Sequence, residues 1–370
     1  MRIGELVQGM WYGGMEKMAG SLSISLQKRG HDVTVYCYDD YGPNADAVRS
    51  EGVPVWLIPR SQGIDWVFIF RIVRRIREDR IELLHCHNDT AFFYGFLASR
   101  LAHVPIVYTR HSLDYSVKNI KKIVHSVFYR GTSAIVTVAE EIGERLVLEE
   151  NAPRDRLHVV WNGVDGGQYR LRDREYVLRK KMELGIPTSA RVLGTVGRYW
   201  PEKNQVILFD VLAALVGPDT QDDIVLVLVG DGPLRPELET AARKKGISRK
   251  VLMTGLISNT ETVYPVFDVF LMSSVREGLP LAIIEAMACS LPIVSTDVGG
   301  IRNIIRDGET GYLVPSGDSS AMADRVRILL GNPLLANKIG HNARKFFEDH
   351  LSEERMVDAY EDIFKSVVCR

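Results

Sequence analysis

Two glutamates flank a turn and a helix start in the second half of the chain. Glu285 lies within an apolar helical run at residues 281–289, and seven residues separate it from Glu277. An unpaired buried carboxylate is costly, so we expect Glu285 to meet hydrogen-bond donors from the protein or from a ligand. The turn at residues 278–281 leads into a helix whose first amide groups and positive dipole end attract anions. This arrangement predicts a site for a ligand that combines phosphate with hydroxyl groups, such as a sugar nucleotide.

An alternative explanation of these acids is structural: Glu277 would cap the helix, and Glu285 would lie partly exposed on an amphipathic helix. The whole stretch at residues 275–305, however, resembles the donor-site signature of the large retaining glycosyltransferase family 4. That signature has two glutamates at this spacing, then a helix of small residues, a strand that begins with proline and a Gly-Gly turn. The resemblance implies the two-domain GT-B fold and transfer of a sugar from a nucleotide donor.

Two cations follow the first predicted strand of the second half of the chain. Arg198 and Lys203 precede a helical stretch, and basic side chains at a helix start oppose the helix dipole. An anionic ligand such as a nucleotide diphosphate would offset the unfavourable interaction of these cations with the helix dipole. The alternative is a pair of solvated surface cations. The next strand runs into a glycine turn at residues 229–234, which can pass close to a base or a ribose. A plain strand-to-helix turn would look much the same.

Glycines also follow the first strand of the chain. Gly9, Gly13 and Gly14 precede a helix with Glu16 in its first turn. Glycine lets a ligand approach the backbone closely, but a tight turn that needs glycine for its own dihedral angles explains the spacing equally well. The spacing does not fit the Gly-x-Gly-x-x-Gly dinucleotide fingerprint. The resemblance favours a ligand, because the family has a Gly-Gly-x-Glu element here, near the acceptor and the sugar diphosphate.

Histidines end two predicted strands of the first half. The resemblance places His111 against the donor sugar, as an orienting group rather than a base. His85 and His87 would share one face of a strand, as two metal ligands could, but the sequence reveals no third or fourth ligand. The aspartates at residues 39–40 and 222–223 do not form an Asp-x-Asp metal clamp. We therefore expect no metal and no cofactor besides the nucleotide sugar, which is a substrate.

The resemblance also implies a role for each of these residues. Arg198, Lys203 and the helix start would hold the diphosphate, Glu277 the hydroxyl groups of the transferred sugar, and Glu285 those of the ribose. The acceptor hydroxyl would attack from the leaving-group side, and the departing phosphate would take its proton, so catalysis would depend on charge and alignment. The expected catalytic residues are His111, Arg198, Lys203 and Glu277, with Glu16 on the acceptor side. The expected donor-binding residues are Gly13, Gly14, Gly197, Gly230, Gly232, Gly278, Leu279, Pro280, Leu281 and Glu285.

Three residues depart from the usual pattern of the family. Ser290 stands where the family usually has glycine, Asn204 where glycine follows the lysine, and Asn303 where glutamate follows the Gly-Gly turn. None of them has a principal role in the expected site. Asn303 puts the donor preference in doubt more than the activity.

The composition predicts a well-packed chain with room for two domains: 370 residues, 46% hydrophobic, 25% charged, with a net charge of −1. This charge gives no indication of nucleic acid as a partner. No segment approaches the roughly 20 apolar residues that span a bilayer, and the N-terminus enters a strand without a signal-peptide pattern. We therefore expect a cytoplasmic protein. The four cysteines lie far apart, which indicates free thiols.

Short apolar runs alternate with amphipathic helical stretches in two series, which predicts an α/β fold with two Rossmann-like, doubly wound domains facing across a cleft. The first series predicts strands at residues 3–7, 32–36, 83–87, 106–109, 134–138 and 158–160, and helices at 14–29, 65–78, 90–101, 120–129 and 140–149. The second predicts strands at residues 192–196, 224–229, 251–254, 269–272 and 292–295. We assign residues 1–167 to an acceptor-side domain, 168–351 to a donor-binding domain, and 352–370 to a helix that packs back on the first domain.

Two basic stretches, residues 69–77 and 118–130, have apolar positions at helical spacing. A basic amphipathic helix can lie on an anionic membrane, which would suit a lipid-linked acceptor and a peripheral contact with the inner membrane face. The alternative, which we favour, is a helix that covers the sheet and keeps a solvated outer face.

The predicted function is retaining transfer from a nucleotide sugar, with a UDP-sugar favoured over GDP-mannose, to a glycan or lipid-linked acceptor. Polysaccharide, lipopolysaccharide or glycolipid synthesis would use such a step. Two alternatives remain: a sugar-nucleotide epimerase with the GT-B fold, and a non-catalytic subunit that binds nucleotide sugars. The intact acids and cations argue against the second. The residues do not identify the base, the sugar or the oligomeric state.

Overall fold

The computed structural model describes residues 1–112, 119–216 and 223–369, without the side chains of residues 119–121. The expectations that involve Lys118 and Asp222 lie outside these residues. The chain forms two compact units: Met1–Gly163 with Glu353–Arg370, and Val164–Ser352. The boundary after Gly163 lies four residues before the one placed after residue 167.

The strands, in chain order, are β1 (Arg2–Val7), β2 (Asp32–Cys37), β3 (Val55–Leu57), β4 (Leu83–Cys86), β5 (Ile106–Arg110), β6 (Ala134–Thr137), β7 (Leu157–Val159), β8 (Arg191–Val196), β9 (Ile224–Val229), β10 (Val251–Gly255), β11 (Val269–Met272), β12 (Ile293–Thr296) and β13 (Tyr312–Val314). The helices are α1 (Gly14–Lys28), α2 (Ala45–Ser50), α3 (Trp66–Glu78), α4 (Asp89–Ala102), α5 (Asn119–Gly131), α6 (Glu140–Glu150), α7 (Arg174–Glu183), α8 (Val206–Leu215), α9 (Arg235–Lys244), α10 (Leu281–Ala288), α11 (Ile301–Ile304), α12 (Ser319–Gly331), α13 (Pro333–His350) and α14 (Glu353–Val368).

Each unit contains one parallel sheet. The first sheet has the strand order β3-β2-β1-β4-β5-β6-β7, and the second has the order β10-β9-β8-β11-β12-β13. Both orders reverse direction once, between β1 and β4 and between β8 and β11. In doubly wound sheets, loops part at this reversal and leave a crevice at the carboxyl ends of the strands, where ligands bind. The predicted α/β class with two doubly wound sheets is confirmed.

Strands β8 to β12 and their helices enclose an apolar core, because helices cover both faces of a parallel sheet. Strand β9 is buried along its whole length, which explains its unbroken apolar sequence. Helix α8 buries Leu208, Phe209 and Leu212 in this core. The core therefore holds the strands rigid while the loops at their carboxyl ends remain available for a site.

Helix α14 packs on α1 of the first unit through both apolar and charged contacts. It buries Tyr360 and Phe364. Arg29, which directly follows α1, donates to Asp358 at 2.6 Å and to Glu361 at 2.8 Å. These contacts fix the last helix to the unit that contains the N-terminus.

The sequence patterns did not predict several elements, among them the short ones α2, β3 and β13. Strands β3 and β13 have only three residues each, and Trp56 in β3 is 48% exposed. Each strand lies at an edge of its sheet, where a short run carries too little periodicity to predict. The charged stretch that follows the domain boundary contains α7. Within the described residues, no helix is both long enough and apolar enough to cross a membrane.

Candidate active site

The loops that follow β8 and β11 meet at the point where the second sheet reverses its strand order. Lys203 Nζ lies 2.6 Å from Glu277 Oε1, and the hydroxyl of Ser274 donates to the same oxygen at 2.6 Å. The hydroxyl of Ser273 donates to the backbone carbonyl of Lys203 at 2.8 Å, which ties the two loops together. The side chains of Lys203 and Glu277 are 20% and 10% exposed. A nearly buried ion pair therefore occupies the position where this fold class binds ligands.

Glycines at three positions let neighbouring loops pack against the backbone of the loops that carry this ion pair. Gly230 has a φ of 138°, and a Cβ on it would lie 2.1 Å from the carbonyl oxygen of Gly197. Gly299 has a φ of 55°, and its Cβ would lie 2.0 Å from the carbonyl oxygen of Glu277. A Cβ on Gly232 would lie 2.5 Å from the Tyr199 carbonyl oxygen. Backbone contacts this close exclude any side chain at the three positions, so the loops after β8, β9, β11 and β12 form one compact edge.

The helix behind Glu277 begins at Leu281, directly after Pro280. Pro280 is extended, with a ψ of 121°, so it precedes the helix rather than belonging to its first turn. The backbone N–H of Gly300 donates to the carbonyl oxygen of Gly278 at 2.8 Å, which holds the turn in place. The turn at residues 278–281 therefore presents the start of α10 beside the Lys203–Glu277 pair.

Glu285 is buried, with 3% of its surface exposed, which rules out the partly exposed surface position considered above. Its Oε2 accepts a hydrogen bond of 2.6 Å from the hydroxyl of Tyr264. Burial and the charge of Glu285 raise the pKa of Tyr264 well above its ordinary value, so the phenol stays protonated and donates. The donor that we expected for this buried carboxylate is therefore supplied at least in part by the protein.

Lys203 does not lie at a helix start, contrary to the expectation that Arg198 and Lys203 oppose a helix dipole. It ends a short 3₁₀ turn, Pro201–Lys203, and α8 begins only at Val206. Glu277 compensates the charge of Lys203. The side chain of Arg198 is 60% exposed and lies 3.9 Å from Glu202. The two cations therefore differ: one is held in an ion pair, and the other faces solvent.

Two of the three departures from the family pattern lie at left-handed backbone positions. Asn204 has a φ of 47° and Ser290 a φ of 56°. Glycine adopts this conformation without steric cost, and asparagine tolerates it better than most residues. The usual glycines of the family at these positions are thus explained by backbone geometry, and Ser290 keeps a strained conformation.

In the first unit, Gly13 precedes α1, and Glu16 folds back over the helix start. A Cβ on Gly13 would lie 2.1 Å from Glu16 Oε2, and a Cβ on Gly9 would lie 2.7 Å from Asp40 Oδ1. Neither glycine has a positive φ; Gly13 has a φ of −76°. Close contacts rather than a special dihedral angle therefore restrict Gly9, whose Cβ would also lie 2.8 Å from the backbone carbonyl oxygen of Asp40, whereas the Glu16 carboxylate beside Gly13 ends a flexible side chain that can move aside. Glu16 lies at the third helical position, where a glutamate commonly caps the helix start.

A buried chain of acidic and imidazole groups lies at the reversal point of the first sheet. Glu5 of β1 is directly paired with His85 of β4. Glu5 Oε2 lies 2.6 Å from His87 Nε2 and 2.8 Å from His85 Nδ1. On the far side of its ring, His87 Nδ1 lies 3.2 Å from Nε2 of His111, and the two ring planes lie within 23° of each other, as a hydrogen bond between ring edges requires. His111, which the sequence assigned to the donor site, is thus connected to a buried acid.

Burial and neighbouring charges shift the pKa values of Glu5, His87 and His111. Burial raises the pKa of Glu5, but the charge of His85 and hydrogen bonds from His85 and His87 outweigh burial and lower it to about 2. Burial and the charge of His85 lower the pKa of His87 to about 4. Burial also holds the pKa of His111 well below its ordinary value. Glu5 is therefore ionised at neutral pH, and His87 and His111 are neutral.

Glu5 was not predicted from the sequence, which showed no third ligand beside His85 and His87. In the structure its carboxylate oxygen and one ring nitrogen of each of these histidines all lie within 4.8 Å of one another. An acidic residue inside the apolar strand β1 was the available signal. These three residues could hold a metal ion, although in this geometry their ligand atoms lie at hydrogen-bond distance from one another.

Comparison with known proteins gives two family matches along the chain. The family described as glycosyl transferases group 1 matches residues 178–346, and glycosyltransferase family 4 matches residues 12–167. An Escherichia coli enzyme, UDP-Gal:alpha-D-GlcNAc-diphosphoundecaprenol alpha-1,3-galactosyltransferase, is 24% identical over 96% of this chain and 95% of its own length. The N-acetyl-alpha-D-glucosaminyl L-malate synthase of Bacillus anthracis is 29% identical over 79% of this chain and 76% of its own length.

Solved structures share the fold. Anabaena HepE in complex with UDP-glucose has a TM-score of 0.89 at 21% identity and covers 99% of this chain and 100% of its own. The sucrose-phosphate synthase of Thermosynechococcus elongatus has a TM-score of 0.83 at 17% identity, covering 100% and 99%. These likenesses confirm the expected GT-B fold class.

Proposed function

This chain belongs to the group 1 and family 4 glycosyltransferases, and on that premise we propose that it transfers a sugar from a UDP-sugar, with retention, to a glycan or lipid-linked acceptor. The observation that supports this proposal most is the Lys203–Glu277 ion pair at the reversal point of the second sheet. A diphosphate that approaches the start of α10 would compete with Glu277 for Lys203. Both Lys203 and Ser274 bond to Oε1 of Glu277, so the second carboxylate oxygen is the one that a sugar hydroxyl would reach.

The classes of nucleotide and acceptor in this proposal are taken from the names of similar proteins. The Escherichia coli relative is named for a UDP-galactose donor and a diphosphoundecaprenol-linked acceptor, and HepE was solved with UDP-glucose. Retention rests on the family resemblance. In such a reaction Lys203 and the amide groups of α10 would stabilise the charge that develops on the leaving diphosphate, while Glu277 would align the sugar. No cofactor is assigned a step in this proposal.

Calorimetric titration of UDP and of UDP-glucose into two variants tests the assigned roles. Lys203→Ala should weaken both ligands, because both carry the diphosphate. Glu277→Gln should weaken UDP-glucose at least tenfold relative to UDP, because only the sugar would contact Glu277, whereas loss of the Glu277 charge frees Lys203 and should leave UDP bound at least as tightly. Equal losses of both ligands in Glu277→Gln would contradict the assignment of this acid to the sugar.

We also propose that α3 contacts an anionic membrane surface. Its inner face is buried, as a sheet-covering helix requires, but its outer face is not simply solvated and polar. Four large apolar side chains, here termed the α3 apolar tip, stand out at the helix start: Ile64, Trp66, Val67 and Phe70, with exposed fractions of 66%, 60%, 58% and 65%. Trp66, Val67 and Phe70 share one side of the helix, since residues three and four apart are neighbours.

Basic side chains follow the α3 apolar tip along the same outer stripe. The side chains of Arg74 and Arg71 are 79% and 45% exposed; Arg74 pairs with Glu78 at 2.7 Å, and Arg71 lies 3.9 Å from Asp65. Exposed apolar patches on soluble domains usually mark interaction sites, and an apolar tip next to a cationic stripe is complementary to anionic lipid. A membrane contact would bring the enzyme to a lipid-linked acceptor.

Co-sedimentation with vesicles of phosphatidylcholine, with or without phosphatidylglycerol, tests this contact. The wild-type chain should bind only the anionic vesicles, and less at high salt. The double variant Trp66→Ser, Phe70→Ser should lose binding, while Leu334→Ser, an isolated position 83% exposed, should not. Unchanged binding of the double variant would exclude the α3 apolar tip as the contact, and a concentration-dependent dimer that the same variant abolishes would assign the tip to a second copy of the chain.

A further inference from the structure

The buried chain from Glu5 to His111 determines which ring nitrogen of each histidine carries a proton. Glu5 is completely buried, and its carboxylate can only accept hydrogen bonds while ionised. His87 Nε2, 2.6 Å away, must therefore carry the proton of this bond. A neutral imidazole has one N–H and one lone pair, so His87 Nδ1 is an acceptor.

The same reasoning extends by one residue. Because His87 Nδ1 accepts, the nitrogen that faces it at 3.2 Å, Nε2 of His111, must donate. His111 is neutral, so its Nδ1 is left as a hydrogen-bond acceptor. His111 directly follows β5, at the carboxyl edge of the sheet, where ligands of this fold class bind.

We propose that Glu5 is a positioning residue: through His87 it holds His111 as the Nε2–H tautomer, which leaves Nδ1 to accept a hydrogen bond from a ligand hydroxyl at the carboxyl edge of the first sheet. That this ligand takes part in sugar transfer rests on the proposed function, whereas the tautomer rests on the buried contacts of Glu5, His87 and His111. A carboxylate that fixes an imidazole tautomer from behind is an established way to orient a histidine.

His85 also contacts Glu5, but its other ring nitrogen faces away from His111, so its hydrogen bond to Thr109 provides a matched control. It is buried and lies 2.8 Å from Glu5 Oε2, but its Nε2 faces Thr109 Oγ1 at 2.7 Å, and Thr109 in turn meets the hydroxyl of Tyr360 at 3.2 Å. This branch leads beneath α14 rather than to His111. Thr109→Val therefore disturbs an equally buried hydrogen bond without touching the path from Glu5 to His111.

The test is nitrogen-15 NMR of the histidine rings in the full-length chain at neutral pH, with assignment by single histidine variants. The wild-type chain should show His87 and His111 as Nε2–H tautomers. Glu5→Gln, in which an amide can either donate or accept, should leave His111 as a mixture of tautomers, and His87→Phe should do the same by removing the acceptor. Thr109→Val should keep the wild-type tautomers. An Nε2–H His111 that persists in Glu5→Gln or in His87→Phe would overturn the proposal.

Two further measurements separate this proposal from its alternatives. In transfer assays Glu5→Gln should lower kcat/KM for the UDP-sugar about tenfold while the affinity for UDP alone is unchanged. A chain that transfers no sugar but shows the expected tautomers would refute the proposed function and leave the positioning role of Glu5 toward His111 supported. Stoichiometric binding of added Zn²⁺ that removes the N–H signal of His87 would overturn the proposal, because the cluster would then be a metal site.

Discussion

Glu277 and Glu285, which look alike in the sequence, meet different partners in the fold. Glu277 pairs with the cation Lys203 at 2.6 Å, whereas Glu285 accepts from the neutral phenol of Tyr264 at the same distance. A ligand can replace Glu277 as the partner of Lys203, but Tyr264 lies on the buried side of α10 and stays with Glu285. The spacing of the two acids was readable from the sequence; the residues that face them were not.

Replacing Lys203 by alanine should lower kcat at least about 100-fold, because an interaction that stabilises leaving-group charge is typically worth that much. The fold should survive, since the backbone carbonyl of Lys203 still accepts from Ser273. Steady-state kinetics with a UDP-sugar measures the effect. Lys250→Ala is the control, because Lys250 pairs with Asp223 on the surface of the same unit. Equal rates in the two variants would remove Lys203 from the active site.

Ser290→Gly should raise the free energy of unfolding by about 1 kcal/mol, because glycine relieves the left-handed conformation at a φ of 56°. Ser290→Ala keeps a Cβ and should bring no such gain. Urea denaturation of the three chains measures the difference. A stability of Ser290→Gly at or below that of Ser290→Ala would show that the backbone there carries no strain.

At the scale of elements, the reversal of strand order places both candidate sites. Lys203 and Glu277 follow β8 and β11, and Glu5 and His85 lie on β1 and β4. Both pairs of strands flank the point where the sheet order reverses. The alternation of strands and helices predicted the sheets, and the family motif predicted the site of the second unit. Glu5 escaped prediction because its contact with His85 depends on strand register across 80 residues of chain.

Gly230, in the loop after β9, has a positive φ and also lies against the backbone of Gly197, so a side chain is excluded for two reasons. Gly230→Ala should lower the free energy of unfolding by roughly 3 kcal/mol, since its Cβ would strike the Gly197 carbonyl oxygen. Gly246→Ala, at a φ of 70° with no atom within 4 Å of the added Cβ, should lose only about 1 kcal/mol. Chemical denaturation compares the two. Equal losses in the free energy of unfolding of the two variants would contradict the close approach of the two loops.

At the scale of the whole molecule, buried histidines make stability depend on pH. His87 has a pKa of about 4 in the folded chain, below its ordinary 6.5, so the unfolded chain binds more protons between these values. Stability should therefore fall as the pH falls from 6.5 to 4, by about 3 kcal/mol for this group if the full shift is realised. Glu5, with a pKa of about 2, adds a further loss below its ordinary 4.5.

Thermal denaturation across this pH range measures the dependence. His87→Phe should flatten the part of the curve between pH 6.5 and 4, and His341→Phe, which replaces an exposed histidine, should not. A curve that is equally steep in His87→Phe and in the wild-type chain would show that other groups control the acid response.

Retaining transfer from a UDP-sugar is tested by product analysis with a panel of UDP-, GDP- and ADP-sugars. Each sugar nucleotide would be incubated with the chain, with and without a lipid-linked glycan acceptor, and the products would be separated by chromatography and their anomeric configuration determined by NMR. We expect that a UDP-sugar is consumed with the acceptor present and that the new linkage keeps the α configuration of the donor. An inverted linkage, consumption of only GDP- or ADP-sugars, or conversion of the donor to another sugar nucleotide without acceptor would contradict it.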